Sequence, residues 1–170
     1  NTGATILFQN DKQTSRFDLL NVEEERLNRV KDTRSFPEKS IKACLDYANL
    51  AHINEIDFVI LDYIIKPSLT DDYFRVKSKA ETLLEEVDEE KLVFINHHLA
   101  HAAAAFYSSP FPEAAILVVD GRGSQKETQS LFFGNTDGIT LLKTTSKIGI
   151  GLLYAAVTQA IGFSILQEGK

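Results

Sequence analysis

The chain has 170 residues, of which 44% are hydrophobic and 25% charged, a composition that excludes disordered and fibrous proteins and suffices for a buried core in one or two domains. A net charge of -6 argues against a nucleic-acid surface, because phosphate binding needs clustered Lys and Arg, and leaves small molecules or proteins as the expected partners. One cysteine, Cys44, excludes an internal disulfide, and no apolar run approaches the roughly 20 residues that span a bilayer, so the expectation is a reduced, cytoplasmic protein without membrane contact.

Taken in order, Gly3 to Gln9 reads as a strand, residues 10–12 as a turn, and Arg16 to Glu23 as the returning strand of an antiparallel hairpin. The mixed-charge run Glu23 to Lys31 has the character of a solvated turn. Pro37, with Ser35 before it as an N-cap, opens a helix in which Ile41, Leu45, Tyr47 and Ala48 carry the spacing up to Leu50. Cys44 lies on that helix as buried filler rather than as a nucleophile. Ile56 to Leu61 reads as a short strand, Asp72 to Val87 as a helix, Glu85 to Glu90 as its solvated end, and Lys91 to Ile95 as the next strand. Strands alternating with helices imply parallel pairing.

The segment Asn96 to Tyr107 is alanine-rich and therefore helical, so His97 and His101, four apart, project from one face. Asp120 closes the following strand, Ala114 to Val119, which has the continuous apolar character of a strand buried on both sides. On the residue types alone, the histidine pair serves either a metal site or ordinary capping and packing. A zinc-protease motif needs a glutamate directly after its first histidine, and His98 stands there instead. Beyond Asp120, Thr128 to Phe133 and Ile139 to Thr144 read as strands joined by the turn 135–138, and Gly151 to Ile161 as a helix. The order hairpin, helix, hairpin, helix suggests a duplicated α/β architecture, with residues 1–112 as a first subdomain and 113–170 as the start of a second. The lack of any methionine and the opening at Asn1 suggest a trimmed chain with an incomplete second half.

The run Glu23 to Lys31 with Phe36-Pro37, the motif Asn96-His97-His98-Leu99-Ala100-His101-Ala102-Ala103, Val119-Asp120-Gly121-Arg122-Gly123, Gly149 to Tyr154 with Thr158 and Gly162-Phe163, and Glu168-Gly169-Lys170 occur in an order that resembles the O-carbamoyltransferases. These are the nodulation-factor and antibiotic carbamoylation enzymes, and the resemblance runs from Thr2 to Lys170.

It implies an actin-like fold of the sugar-kinase and Hsp70 ATPase type (ribonuclease H-like). It also implies carbamoyl transfer from carbamoyl-adenylate to a hydroxyl of a small-molecule acceptor, the adenylate being made from carbamoyl phosphate and ATP by a further C-terminal domain of the parent chain. By the same resemblance, His97, His101 and Asp120 are ligands of a divalent metal, iron(II), with a further aspartate beyond Lys170, and His98 and Tyr107 are supporting neighbours. Gly121, Arg122, Gly123, Ser124 and Lys170 become nucleotide or phosphate contacts, Ser124 standing where the family often has an acidic residue. The family also carries a histidine on a loop just before the position of Asn1. A glycine-bearing turn at a strand end can present backbone N–H groups to phosphate, which accords with this assignment. Two other readings remain: a non-catalytic nucleotide-binding scaffold of the same fold, and a small-molecule kinase, which needs a catalytic aspartate base that the sequence does not single out.

Overall fold

The computed structural model describes residues 2–9, 16–31, 33, 35–62, 86–147 and 149–163. The expected helix from Asp72 to Val87 falls almost wholly outside them, as do Glu168 and Lys170. The chain divides into two compact units, one of residues 1–59 and 65–92, the other of residues 60–64 and 93–170.

In the first unit, β1 (Gly3–Phe8) pairs antiparallel with β2 (Asp18–Glu23) in the register Gly3 to Glu23 and Phe8 to Asp18, as the hairpin pattern predicts. The next segment is a five-residue helix, α1 (Glu24–Asn28), rather than a turn. Helix α2 (Glu38–Tyr47) covers the hairpin, and among the described residues of this unit the buried apolar ones are Ile6, Cys44, Ile53 and Val87. Burial pushes the Cys44 thiol above its ordinary pKa, although a backbone hydrogen bond at Ile6 opposes the shift, so the side chain stays a neutral filler.

Ser35 does not cap α2. Its hydroxyl bonds instead with Thr33 Oγ1 at 2.8 Å. The cap comes from α1, where the buried Glu24 carboxylate accepts from Ser40 N and from Ser40 Oγ, both at 2.8 Å. A carboxylate at a helix N-terminus satisfies an orphan donor and complements the macrodipole, which a serine hydroxyl does less strongly. His52 is also a local structural residue, its ring accepting from Asn54 N to cap the single turn Ile53–Glu55.

The second unit holds the larger part of a two-stranded sheet, β3 (Val59–Leu61) with β4 (Leu92–Phe94), and a three-stranded sheet of β5 (Ala114–Val119), β6 (Gln129–Asn135) and β7 (Gly138–Thr145). The β5-β6-β7 registers are antiparallel throughout, and β6-β7 is the hairpin expected at the turn 135–138. Short links, down to the two-residue turn before Gly138, favour antiparallel neighbours over crossovers.

Helix α3 (His97–Tyr107) lies on this sheet, and Ala102, Phe106, Ile116, Val118 and Phe132 form the core beneath it. Gly134 makes the close approach feasible, because a Cβ there would come within 2.9 Å of the Phe106 ring. Contrary to the expectation of a strand buried on both sides, β5 alternates: Ile116 and Val118 face the core while Leu117 is 65% exposed. Among the described residues, only one face of the sheet is covered.

Helix α4 (Ile150–Ala160) closes the described chain with an unexpected orientation. Gly151, Leu152, Ala155 and Thr158 are the less exposed positions, with Gly151, Ala155 and Thr158 spaced to share one face, while Leu153, Tyr154 and Val157 point outward. Sterics explain this, since a Cβ on Gly151 would lie 2.6 Å from the Asp120 carbonyl oxygen. The helix can meet the strand end that closely at this position only because Gly151 has no side chain. No helix among the described residues is long and apolar enough to cross a membrane.

Candidate metal centre

Asn96 starts the site. Its side-chain oxygen accepts from Leu99 N at 3.1 Å, which caps α3 and sets His97, His98 and His101 in its first turns. Its Nδ2 donates to Glu127 Oε1 at 2.7 Å. The other Glu127 oxygen accepts from Gln125 N at 2.6 Å, and its carbonyl accepts from Gly123 N at 2.7 Å. Gly123 must lack a side chain for this to happen, as a Cβ there would sit 2.7 Å from the Glu127 carboxyl carbon. Loop 121–127 is therefore folded onto one buried carboxylate and tied to the start of α3. Burial alone would raise the Glu127 pKa, but the hydrogen bonds from backbone N–H groups and Asn96 outweigh it and hold the group below its ordinary value.

Asp120 follows β5 directly. Its N–H donates to Thr128 O at 3.0 Å and its Oδ1 accepts from Gly121 N at 2.6 Å, which fixes the carboxylate. The remaining oxygen, Oδ2, stands 3.1 Å from His97 Nε2. His97 Nε2 is also 3.1 Å from His101 Nε2, while His97 Nδ1 faces Asp62 Oδ2 at 3.3 Å. Both carboxylates accept only, so an ion held at Nε2 would leave the ring's proton on Nδ1, toward Asp62.

The three donors His97, His101 and Asp120 lie within 4.8 Å of one another. Neutral imidazoles and a carboxylate converging with their lone pairs fit a divalent cation of borderline softness. Asp62 adds the carboxylate-to-histidine contact that orients a ligating ring.

His98 points the other way. Fully buried, its Nδ1 bonds with Ser130 Oγ at 2.7 Å, and burial holds its pKa below the ordinary value despite the nearby Glu127 and Asp120 charges. Tyr107 is 67% exposed at the far end of α3, ten residues and about 15 Å of helix rise from His97, and so is not a neighbour of the site.

Of the expected phosphate contacts, Gly121, Arg122, Gly123 and Ser124 are brought together in the loop after Asp120, with Arg122 exposed and Ser124 Oγ buried without a hydrogen-bond partner. Lys170 lies outside the described residues. Sequence reasoning missed Asp62, Asn96, Glu127 and Ser130. Asp62 had one usable signal, a carboxylate directly after an apolar strand run, whereas the others are ordinary polar residues until the sheet forms.

Residues 68–170 match the family model described as carbamoyltransferase N-terminus. The chain belongs to the carbamoyltransferase family, within its N-terminal region. It is 30% identical over 165 residues to the nodulation protein NolNO of Sinorhizobium fredii, an alignment covering 88% of this chain and 24% of that protein. It is also 30% identical to the uncharacterized protein sll1178 of Synechocystis, over 85% of this chain and 28% of the relative. Identity to the uncharacterized protein MJ1051 of Methanocaldococcus jannaschii is 28%, over 89% of this chain and 28% of the relative. The chain thus spans about a quarter of the length of the curated relatives it matches. The matched carbamoyltransferase region includes His97, His101 and Asp120.

Proposed function

We propose that this chain is the part of a carbamoyltransferase, on an actin-like ATPase fold, that transfers a carbamoyl group from carbamoyl-adenylate to a hydroxyl of a small-molecule acceptor. The observation that carries the reading is the convergence of His97 Nε2, His101 Nε2 and Asp120 Oδ2 within a region matched by the carbamoyltransferase model. His97, His101 and Asp120 would hold a divalent ion, iron(II) by the family resemblance, with which a set of imidazoles and a carboxylate accords. Such an ion supplies Lewis acidity toward the carbamoyl oxygen, on which negative charge develops as the acceptor attacks and AMP leaves.

The chain's own residues supply positioning. Asp62 orients the His97 ring, and Asn96 with Glu127 sets the distance between α3 and the loop. The uncapped start of α4 at Gly149 offers backbone N–H groups suited to a nucleotide phosphate, with Gly121, Arg122, Gly123, Ser124 and Lys170 as further expected contacts, although the Gly121 and Gly123 N–H groups are engaged by Asp120 and Glu127. Carbamoyl phosphate and ATP are the expected source of the donor, through an adenylate-forming domain of the natural protein.

The test is metal analysis of the intact natural protein, purified without oxygen, beside its His101→Ala variant, followed by an assay with carbamoyl phosphate and ATP. About one iron per chain, lost in the variant while adenylate formation from carbamoyl phosphate and ATP persists and onward transfer of the carbamoyl group falls sharply, is the expected result. No ion in either protein would overturn the metal assignment and favour a nucleotide-binding scaffold.

A further inference from the structure

Thr128 stands directly before β6 and is 1% exposed. Its main chain joins the two neighbouring strand ends: its carbonyl accepts from Asp120 N at 3.0 Å and its N–H donates to Thr145 O at 2.8 Å. Its hydroxyl reaches further along the chain, donating to Lys147 O at 2.6 Å, with Thr145 O a longer second acceptor at 3.2 Å. Both partners are carbonyl oxygens, which accept only, so the direction of these bonds is fixed. Thr145 Oγ1 accepts from Lys147 N at 3.2 Å, and a Cβ placed on Gly149 would lie 2.9 Å from Thr128 Cβ. Lys147 and Gly149, which lead into α4, are therefore seated on the Thr128 side chain.

What α4 touches next is a candidate metal ligand. A Cβ on Gly151 would come within 2.6 Å of the Asp120 carbonyl oxygen and 2.8 Å of Gly121 N, the same nitrogen that donates to Asp120 Oδ1. Asp120 is thus held at its N–H by the Thr128 carbonyl and at its own carbonyl by the start of α4. We propose that Thr128 is a positioning residue of the metal centre, supplying the first restraint directly and the second through its hydroxyl, which keeps α4 against Asp120. This rests on the metal assignment above. Valine has the same shape and keeps every main-chain bond but has no proton for Lys147 O, so the lead-in to α4 loses its anchor. Asp120 Oδ2 is then free to drift from the two imidazoles on α3, and metal–ligand distances tolerate only about 0.2 Å.

The experiment titrates cobalt(II), which takes the same imidazole and carboxylate donors, into the metal-stripped intact natural protein. It reads both the affinity and the visible absorption of the bound ion, which follows ligand geometry. Thr128→Val is expected to bind about 10-fold more weakly than wild type, with altered absorption. Thr128→Ser, which keeps the donor, stays within about 3-fold of wild type with unaltered absorption. Ile139→Ala, at the far end of the sheet opposite Gly134, is the control: it loses core packing and stability but neither affinity nor absorption. Gly149→Ala presses on Thr128 from the α4 side while leaving its hydroxyl in place. It is expected to weaken binding in the same way, and it decides the matter should Thr128→Val fail to fold.

Wild-type affinity and absorption in a folded Thr128→Val, or in Gly149→Ala where that variant decides, would overturn the positioning role and leave the metal centre standing. Equal losses in Thr128→Val and Thr128→Ser would overturn it as well, because the hydroxyl would then not be the cause. A matching loss in Ile139→Ala would reduce the effect to general stability and overturn it too. Failure of wild type to bind cobalt(II) would overturn the metal assignment and the positioning role with it.

Discussion

Asn96 joins Glu127 across 2.7 Å while its other side-chain atom caps α3 at Leu99, so one amide fixes both the histidine helix and the loop that follows Asp120. Neither partner is a metal-ligand candidate, yet together they set the spacing between the elements that carry the ligands.

Asn96→Ala should therefore remove a helix cap, worth about 1 kcal/mol, and a bond to a buried carboxylate, worth about 1.5–3 kcal/mol. Asn96→Asp keeps the cap but places a second carboxylate against Glu127. Denaturant unfolding is expected to show both variants destabilised, with Asp no better than Ala despite its equal capping ability. An Asp variant as stable as wild type would mean that the Glu127 contact contributes nothing.

Acid should loosen the second unit in two stages. His98 is held below its ordinary pKa, so the unfolded chain takes up that proton first, and stability is full above about pH 6.5 and falls as pH drops toward the folded-state value. Glu127 is held below its ordinary value as well, so its contribution is present above the ordinary carboxylate range and is lost as pH falls through the folded-state pKa. Melting temperatures from pH 8 to pH 3 should decline through both ranges, and Glu127→Gln should remove the lower step alone.

Glycine to alanine inside a helix ordinarily stabilises by about 1 kcal/mol. At Gly151 the sign should reverse, because the added Cβ meets the Asp120 carbonyl at 2.6 Å and the Gly121 nitrogen at 2.8 Å, both backbone atoms that cannot rotate away. Gly151→Ala is expected to lower the melting temperature and weaken metal binding together. A gain in stability would show that α4 does not press on Asp120.

Asp62→Asn keeps the shape beside His97 Nδ1 but removes the charge that would hold the ring's proton there once Nε2 carries an ion. Metal affinity should drop about 10- to 100-fold by chelator competition, against complete loss in His101→Ala. Unaltered affinity in Asp62→Asn would confine Asp62 to the surface.

Phe106 fills the core between α3 and the sheet and stacks over Gly134. Phe106→Ala should cost about 3–5 kcal/mol, whereas Gly134→Ala acts by pushing the ring off the sheet. Calorimetry on the double variant should show less than the sum of the two losses, since alanine at 106 leaves room for a Cβ at 134.

The chain by itself determined the helical register of His97 and His101, the hairpins at Gly3–Glu23 and at the turn before Gly138, and the family, because these depend on residues near in sequence or on an ordered string of motifs. Local periodicity contains that information. It left open which acceptor caps α2, which faces of β5 and α4 are buried, and what surrounds the histidines. Glu24 displaces Ser35 as the cap, Gly151 rather than Leu153 turns inward, and Asp62, Ser130 and Glu127 arrive beside α3 from 35, 32 and 31 residues away. Only the tertiary structure could decide these, because each depends on sterics and hydrogen bonds between segments whose separation in sequence carries no trace of the contact.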